Sequence, residues 1–257
     1  MTLSAFSARV WRESFAYRQF HSKMKAPLLW LTVWISTCGA VAVAQTMNDP
    51  AHMDIVITPY YNSKEPTIDV GSFSKGMASV SEPELVATIT KMKQSWDQLS
   101  FPEMYVAAIR LYDLGYRKEA VYWFYSAQYR GRLFTTLIDQ AKMGGMGAMG
   151  FELLHAHDAF LQLAGPYING YAFGDIDNLV RIIQRVQKEG WGIPEMKATY
   201  PGVKFKDESE WKAANEGLND GMTRLLTSLK EKGNSIKQQR IENGTEARFS
   251  KLTSKEL

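Results

Sequence analysis

The sequence predicts a mainly α fold, a compact helical domain preceded by an extended arm. Three observations carry that expectation. Ser81-Glu82-Pro83-Glu84 and Ser100-Phe101-Pro102-Glu103 each set a serine three residues before a glutamate, with proline in the first turn, the pattern of a capped helix start. Apolar residues then recur every three or four positions, as Leu85, Ile89, Met92 and Trp96, and again as Tyr105, Ala108, Ile109, Leu111 and Tyr112. The best strand candidate is one short run, residues 53–58, which stops at Pro59.

Length and composition set the frame. A chain of 257 residues, 45% apolar and 22% charged, has room for one or at most two domains. Its apolar fraction excludes wholesale disorder and collagen-like classes. Only residues 26–44, APLLWLTVWISTCGAVAVA, form a long uncharged apolar run, so a polytopic membrane protein is excluded as well.

That run reads as an address. Lys23 and Lys25 precede it, and Ala40-Val41-Ala42 and Ala42-Val43-Ala44 close it. A basic segment, an apolar segment and a small-residue ending describe a secretory signal peptide over 1–44, with Gln45 as the first mature residue. A start at Met24 would give a more ordinary basic segment. Two alternatives also place the rest outside the cytoplasm: lipidation of Cys38 after the loose lipobox Ile35-Ser36-Thr37, or an uncut leader held in the inner membrane. The expected location is the periplasm, or secretion. Of the chain's 30 basic and 27 acidic side chains, 25 and 26 lie beyond the leader. The pI of 8.8 is therefore a property of the leader and makes no case for nucleic acid. Cys38 goes with the leader, so the mature chain has no disulfide and no thiolate nucleophile.

The arm spans 45–80. Its stretch YYNSKEPTIDVGSFSKG is rich in turn formers, yet Tyr60, Tyr61, Ile68, Val70 and Phe73 make it too apolar for a free tail. The helical domain runs over 81–243. Helices are expected from the two capped starts, the second closed by Gly115, and then at about 117–139, 152–163, 175–189 and 209–232, with Gly233 stopping the last. GGMGAMG at 144–150 is a break, and a polar tail over 244–257 is expected to fray.

Within the domain, Ala108, Gly115, Ala120, Phe124 and Ala127 have a spacing that resembles one tetratricopeptide or SEL-type helical hairpin, over about 103–132. In that family the small residues let the two helices approach closely and the aromatic fills the gap between repeats. The helix-ending proline is missing, with Arg132 near its place. An ordinary tight αα-hairpin explains the same residues. The plan of an exported chain, an arm and one such hairpin looks like the periplasmic immunity proteins that neutralise antibacterial lipase effectors.

Candidate chemistry is sparse. Glu152, His155 and Asp158 share a helical face and are the only metal-capable cluster. His157 points away from them, and a mononuclear site would need three converging ligands, with His52 available as one. No metal and no cofactor is expected. Two aromatic groups stand out instead. Tyr167, Asn169, Tyr171 and Phe173 sit among glycines between two helices, where tyrosine offers a rigid amphipathic recognition surface. Tyr122, Tyr125, Tyr129 and Arg130 crowd one helix beside Trp123 and Phe124, in the residue vocabulary of interface hot spots. Consecutive aromatics at 122–125 cannot all face one way, so burial on two sides competes with recognition for both groups. The expected function is a non-enzymatic exported binding protein that docks a protein partner, with an immunity-type inhibitor as its concrete form. The alternative is a helical hydrolase or lyase working through Glu152, His155 and Asp158.

Overall fold

The computed structural model describes residues 49–53, 70–190 and 193–257, the side chains of 193 and 194 excepted. The expected leader, most of the strand at 53–58, and Tyr60, Tyr61 and Ile68 lie outside them. The fold is all-helical: α1 (Ser74–Met77), α2 (Glu82–Gln94), α3 (Phe101–Asp113), α4 (Arg117–Leu137), α5 (Met149–Ala172), α6 (Ile176–Glu189), α7 (Ile193–Thr199), α8 (Trp211–Glu242) and α9 (Thr245–Phe249). One antiparallel bridge pairs Ile138 with Phe205 and fixes the segment before α8 to the end of α4. Among the described residues no helix is long and apolar enough to cross a membrane.

Helix starts follow the local chemistry. At α3 the capping box is complete: the Ser100 hydroxyl accepts from the Glu103 N–H, and the Ser100 N–H donates to the Glu103 carboxylate at 2.7 Å. At α2 half of it is rerouted. The Ser81 hydroxyl accepts from the Glu84 N–H, while the Glu84 carboxylate takes the Ser79 hydroxyl at 2.6 Å and the Ser81 N–H donates to that same hydroxyl. Gly115, at φ 91°, closes α3 as expected, with Tyr116 N–H returning to the Leu111 carbonyl at 2.9 Å.

The hairpin of α3 and α4 lies at the centre, with Ala108, Ala120, Phe124 and Ala127 fully buried. Helix α4 packs against α3, α5, α6 and α8, and every residue from 120 to 131 is buried. Its consecutive aromatics do face different directions, and each polar tip finds a different neighbour. Tyr122 donates to Glu189 of α6, Tyr125 to Asn169 of α5 at 2.9 Å, and Tyr129 to Asn215 of α8 at 2.9 Å. Arg130, 1% exposed, donates to the carbonyls of Trp96 and Leu99 at 2.8 and 2.7 Å. A buried polar group left without a partner costs about 1–3 kcal/mol, so these bonds decide which helix may sit against which face.

Three expectations fail, two of them at glycines read as helix breakers. The interhelical loop expected over 164–175 is helix: α5 runs unbroken through Pro166 to Ala172. Gly165 sits beside the Phe124 ring, and Gly170 lies under Phe249, where a Cβ would come 2.3 Å from the ring. Neither glycine is a turn, and Gly170 is a close packing contact with no room for a Cβ. Likewise Gly233 does not stop α8, which continues to Glu242 with Gly233 against Ile176. The tail does not fray either. Phe249 is buried, Arg240 pairs with Glu246 at 2.9 Å and donates to the Gly170 carbonyl, Arg117 holds the Thr253 carbonyl, and Lys255 reaches Glu82 at 2.8 Å. Arg117 also donates to the Ala51 carbonyl, and the Met53 N–H donates to Asp113. Both ends of the described chain are thus tied to one end of the central hairpin.

His157 of α5 sits in the core between Phe101 and Tyr105, with Nδ1 3.2 Å from the Tyr105 hydroxyl. Burial, and secondarily Arg132, push its pKa down to about 3. Gly131 makes room for the ring, since a Cβ there would lie 2.1 Å from Nδ1.

Two predictions follow from this packing. Gly131→Ala should destabilise by about 1–3 kcal/mol through overpacking, whereas Gly217→Ala in α8, with nothing within 4 Å of its Cβ position, should stabilise by about 0.5–1 kcal/mol; urea titrations of both variants check the opposite signs. At His157, the unfolded chain binds a proton below the ordinary value of 6.5 that the folded core refuses down to about 3. Stability should therefore fall as pH drops through that window, at up to about 1.4 kcal/mol per unit. Melting curves of His157→Gln should show a lower melting temperature at pH 7 and a flatter decline toward pH 5.

Candidate protein-docking surface

The α4 spokes named from the sequence are interior. Tyr122, Tyr125, Tyr129 and Arg130 are all buried, so none of them is offered directly to a partner. Burial raises the pKa of the Tyr122 and Tyr129 hydroxyls and lowers that of Arg130 to about 10. All three keep their ordinary charge state near neutrality.

The second group splits. Asn169 spends its side-chain oxygen on Tyr125. Tyr167 and Tyr171 are half-buried and lie edge-on to Tyr112, with ring centroids 6.5 and 6.3 Å away. Phe173, half-buried, is the C-cap of α5. Because 167–172 is helix, Tyr167 and Tyr171 form one packed face of α5 against Tyr112 rather than an adaptable loop, and Phe173 caps its end. The acidic and histidine cluster is also occupied. Glu152 accepts from the Gly147 N–H at 2.8 Å, the His155 ring stands edge-on to Phe151 at 4.3 Å, and Asp158 is exposed on α5. Among the described residues no three His, Cys, Asp or Glu side chains gather as metal ligands.

What reaches solvent is the layer covering Tyr122. Trp96, in the turn Trp96–Gln98 after α2, lies flat on Tyr122, with centroids 5.3 Å apart and planes 7° from parallel. Trp123 meets Trp96 edge-on at 4.9 Å. The guanidinium of Arg185 stands 3.8 Å from the Tyr122 ring centroid, and that of Arg130 lies 5.3 Å from Trp96. A charged rim surrounds the stack. Arg185 Nε is 2.8 Å from Glu189 Oε1. Glu119 takes both the Trp123 indole N–H at 3.0 Å and Lys93 at 2.7 Å. The Arg185 side chain is 56% exposed and that of Lys93 42%, while Trp96 is half-buried.

This patch differs from ordinary surface in two ways. Its aromatic and arginine groups are already held in one geometry by stacking, so a partner would freeze few rotamers in meeting them. Its ion pairs contribute little to the fold, about 0.2–1 kcal/mol each at such exposure, whereas truncating a tryptophan or arginine at an interface centre costs about 2 kcal/mol or more. Sequence reasoning placed Trp96 in the apolar stripe of α2 and passed over Arg185 and Glu189. The available signal was the i, i+4 opposite-charge pair on the polar face of α6.

The chain is similar to a Haemophilus influenzae protein described as uncharacterized, at 24% identity over 208 residues, or 78% of each chain. No known protein family matches the chain, and no solved structure does.

Proposed function

We propose that this is an exported, non-enzymatic binding protein that docks a protein partner through the Trp96, Tyr122 and Arg185 stack and its rim of Lys93, Glu119 and Glu189. The observation that carries the proposal is the stack itself: a tryptophan and an arginine left at the surface yet fixed in place by a buried tyrosine between rigid helices. Tryptophan, tyrosine and arginine are the residues in which interface energy concentrates. A patch preorganised on helices presents them at low entropic cost. The rim carries both signs of charge, and so favours a partner surface with a matching alternation.

Export rests on the pattern of residues 23–44, and places the partner in the periplasm or beyond. An immunity-type inhibitor of a secreted antibacterial effector is the concrete form of this reading, drawn from the resemblance of the plan to such proteins. Inhibition would then be occlusion, with the aromatic patch covering a cleft in the effector. Glu152 and His155, the residues on which the enzymatic alternative relied, are engaged in a helix-start hydrogen bond and a ring contact, and the reading asks no chemistry of them.

The test is a pull-down from envelope extract with the wild-type chain and with Arg185→Glu. That substitution reverses an exposed charge without opening the core. The expected result is a partner retained by the wild type and lost by the variant, with melting temperatures within a few degrees of each other. Equal retention of the same partner by both chains would remove this patch from the account.

A further inference from the structure

Helix α4 starts without a cap of its own. Its N-cap residue, Tyr116, makes no side-chain hydrogen bond to the first turn, and the first N–H groups of a helix have no partner within it. The Lys118 N–H finds one 136 residues away, on the Ser254 hydroxyl at 3.0 Å. A serine oxygen in that place does what an N-cap serine does. The residues around Ser254 make contacts at the same place. The Thr253 carbonyl accepts from Arg117 at 2.7 Å, and the Lys255 N–H donates to the Gly115 carbonyl at 2.8 Å. The Lys255 ammonium reaches Glu82 at 2.8 Å, and Glu256 pairs with Lys118 at 3.2 Å. Residues 252–257 are not helical. Four successive residues are thus held as a bound peptide is held, by main-chain groups and side chains together.

The receiving groups have supports of their own. Tyr116 donates its hydroxyl to Glu82 at 2.7 Å. The Arg117 guanidinium lies 5.3 Å from the Tyr112 ring centroid, with its other arm on the Ala51 carbonyl. A site already in place costs its ligand less to fill. The segment, in turn, adds little to the core. Phe249 is the last buried residue before it; Thr253, Lys255 and Glu256 are exposed and Ser254 is half-buried. Exposed hydrogen bonds with few buried apolar contacts mark the parts of a protein that open first.

We infer that Glu82, Gly115, Arg117 and Lys118 form a peptide-binding cradle whose ligand is the chain's own C-terminal segment, residues 253–256, and that this segment leaves and rebinds while the helical bundle stays folded. Recognition has two parts. The Thr253 carbonyl and the Lys255 N–H are main-chain contacts that nearly any residue supplies, whereas the Ser254 hydroxyl on the helix start and the Lys255 charge opposite Glu82 select the sequence. The ligand class is a peptide with a capping hydroxyl followed at once by a lysine. The cradle uses no residue of the proposed docking patch and stands or falls separately from it.

Two amides report the cradle, since the Lys118 and Lys255 N–H groups each bond across it. Hydrogen exchange followed by NMR on the full chain should show both opening together, with protection at least about a hundredfold below that of α4 from Ala120 to Gly131. Glu82→Gln should speed both by about two- to fivefold, the effect of one exposed ion pair. A second arm uses the full chain carrying Ser254→Ala and Lys255→Ala. Added heptapeptide Lys-Leu-Thr-Ser-Lys-Glu-Leu should slow Lys118 exchange saturably there, and the same peptide with alanine for its serine and second lysine should not. Protection of both amides equal to that of the α4 interior would make the segment part of the bundle and overturn the cradle. So would equal slowing by the two peptides, or none at about millimolar heptapeptide, the range in which a tethered segment meets its own site.

Discussion

The architecture depends on one constraint: a helix buried on every side must still satisfy its polar atoms. Helix α4 meets that constraint with four long side chains, Tyr122, Tyr125, Tyr129 and Arg130, whose apolar bodies fill the core and whose polar tips end on neighbouring segments, while the buried Gln128 Oε1 has no hydrogen-bond partner among the described residues. Tyr122, Tyr125 and Tyr129 reach α6, α5 and α8, and Arg130 reaches the carbonyls after α2. A hydroxyl that finds no acceptor in any other arrangement discriminates against that arrangement by more than a ring's packing alone would. The aromatic-rich sequence of α4 thus specifies the order of helices around it as well as the volume of the core.

Arginine does a related task at the margins. Arg110 donates to the Ser79 carbonyl, Arg117 to Thr253 and Ala51, and Arg240 to Gly170. Each fixes an irregular or terminal segment whose main-chain carbonyls have no helical partner of their own. The planar guanidinium, with five donors, suits this better than an ammonium does. This explains how a chain with a single cysteine, Cys38, holds its described ends without an internal disulfide.

Much of the fold was legible because its signals are local. Capped starts at Ser81 and Ser100, the Gly115 stop and the helical spacing of apolar residues all act within a few residues of themselves. The misreadings share a cause that is not local. Gly165, Gly170 and Gly233 look like breakers but lie inside helices whose packing partners are far away in sequence, and at Gly170 it is the Phe249 ring that leaves no room for a Cβ. The same holds for the candidate site. The sequence showed that 122–125 could not share one face, but not that Trp96 and Arg185 would cover Tyr122, because that stack joins three segments brought together only by α4. The proposed docking patch is therefore a consequence of the hub: its floor is buried to organise the bundle, and its exposed layer is what the bundle leaves over.

Native-state hydrogen exchange tests the hub most directly. Amides of α4 from Ala120 to Gly131 should exchange only through global unfolding, with a protection free energy equal to that from denaturant melting. Those of α2 and the exposed second half of α8 should exchange through smaller openings. Protection in α4 below that of α8 would contradict the account, because a helix that opens while its neighbours stay folded cannot be what holds them in place.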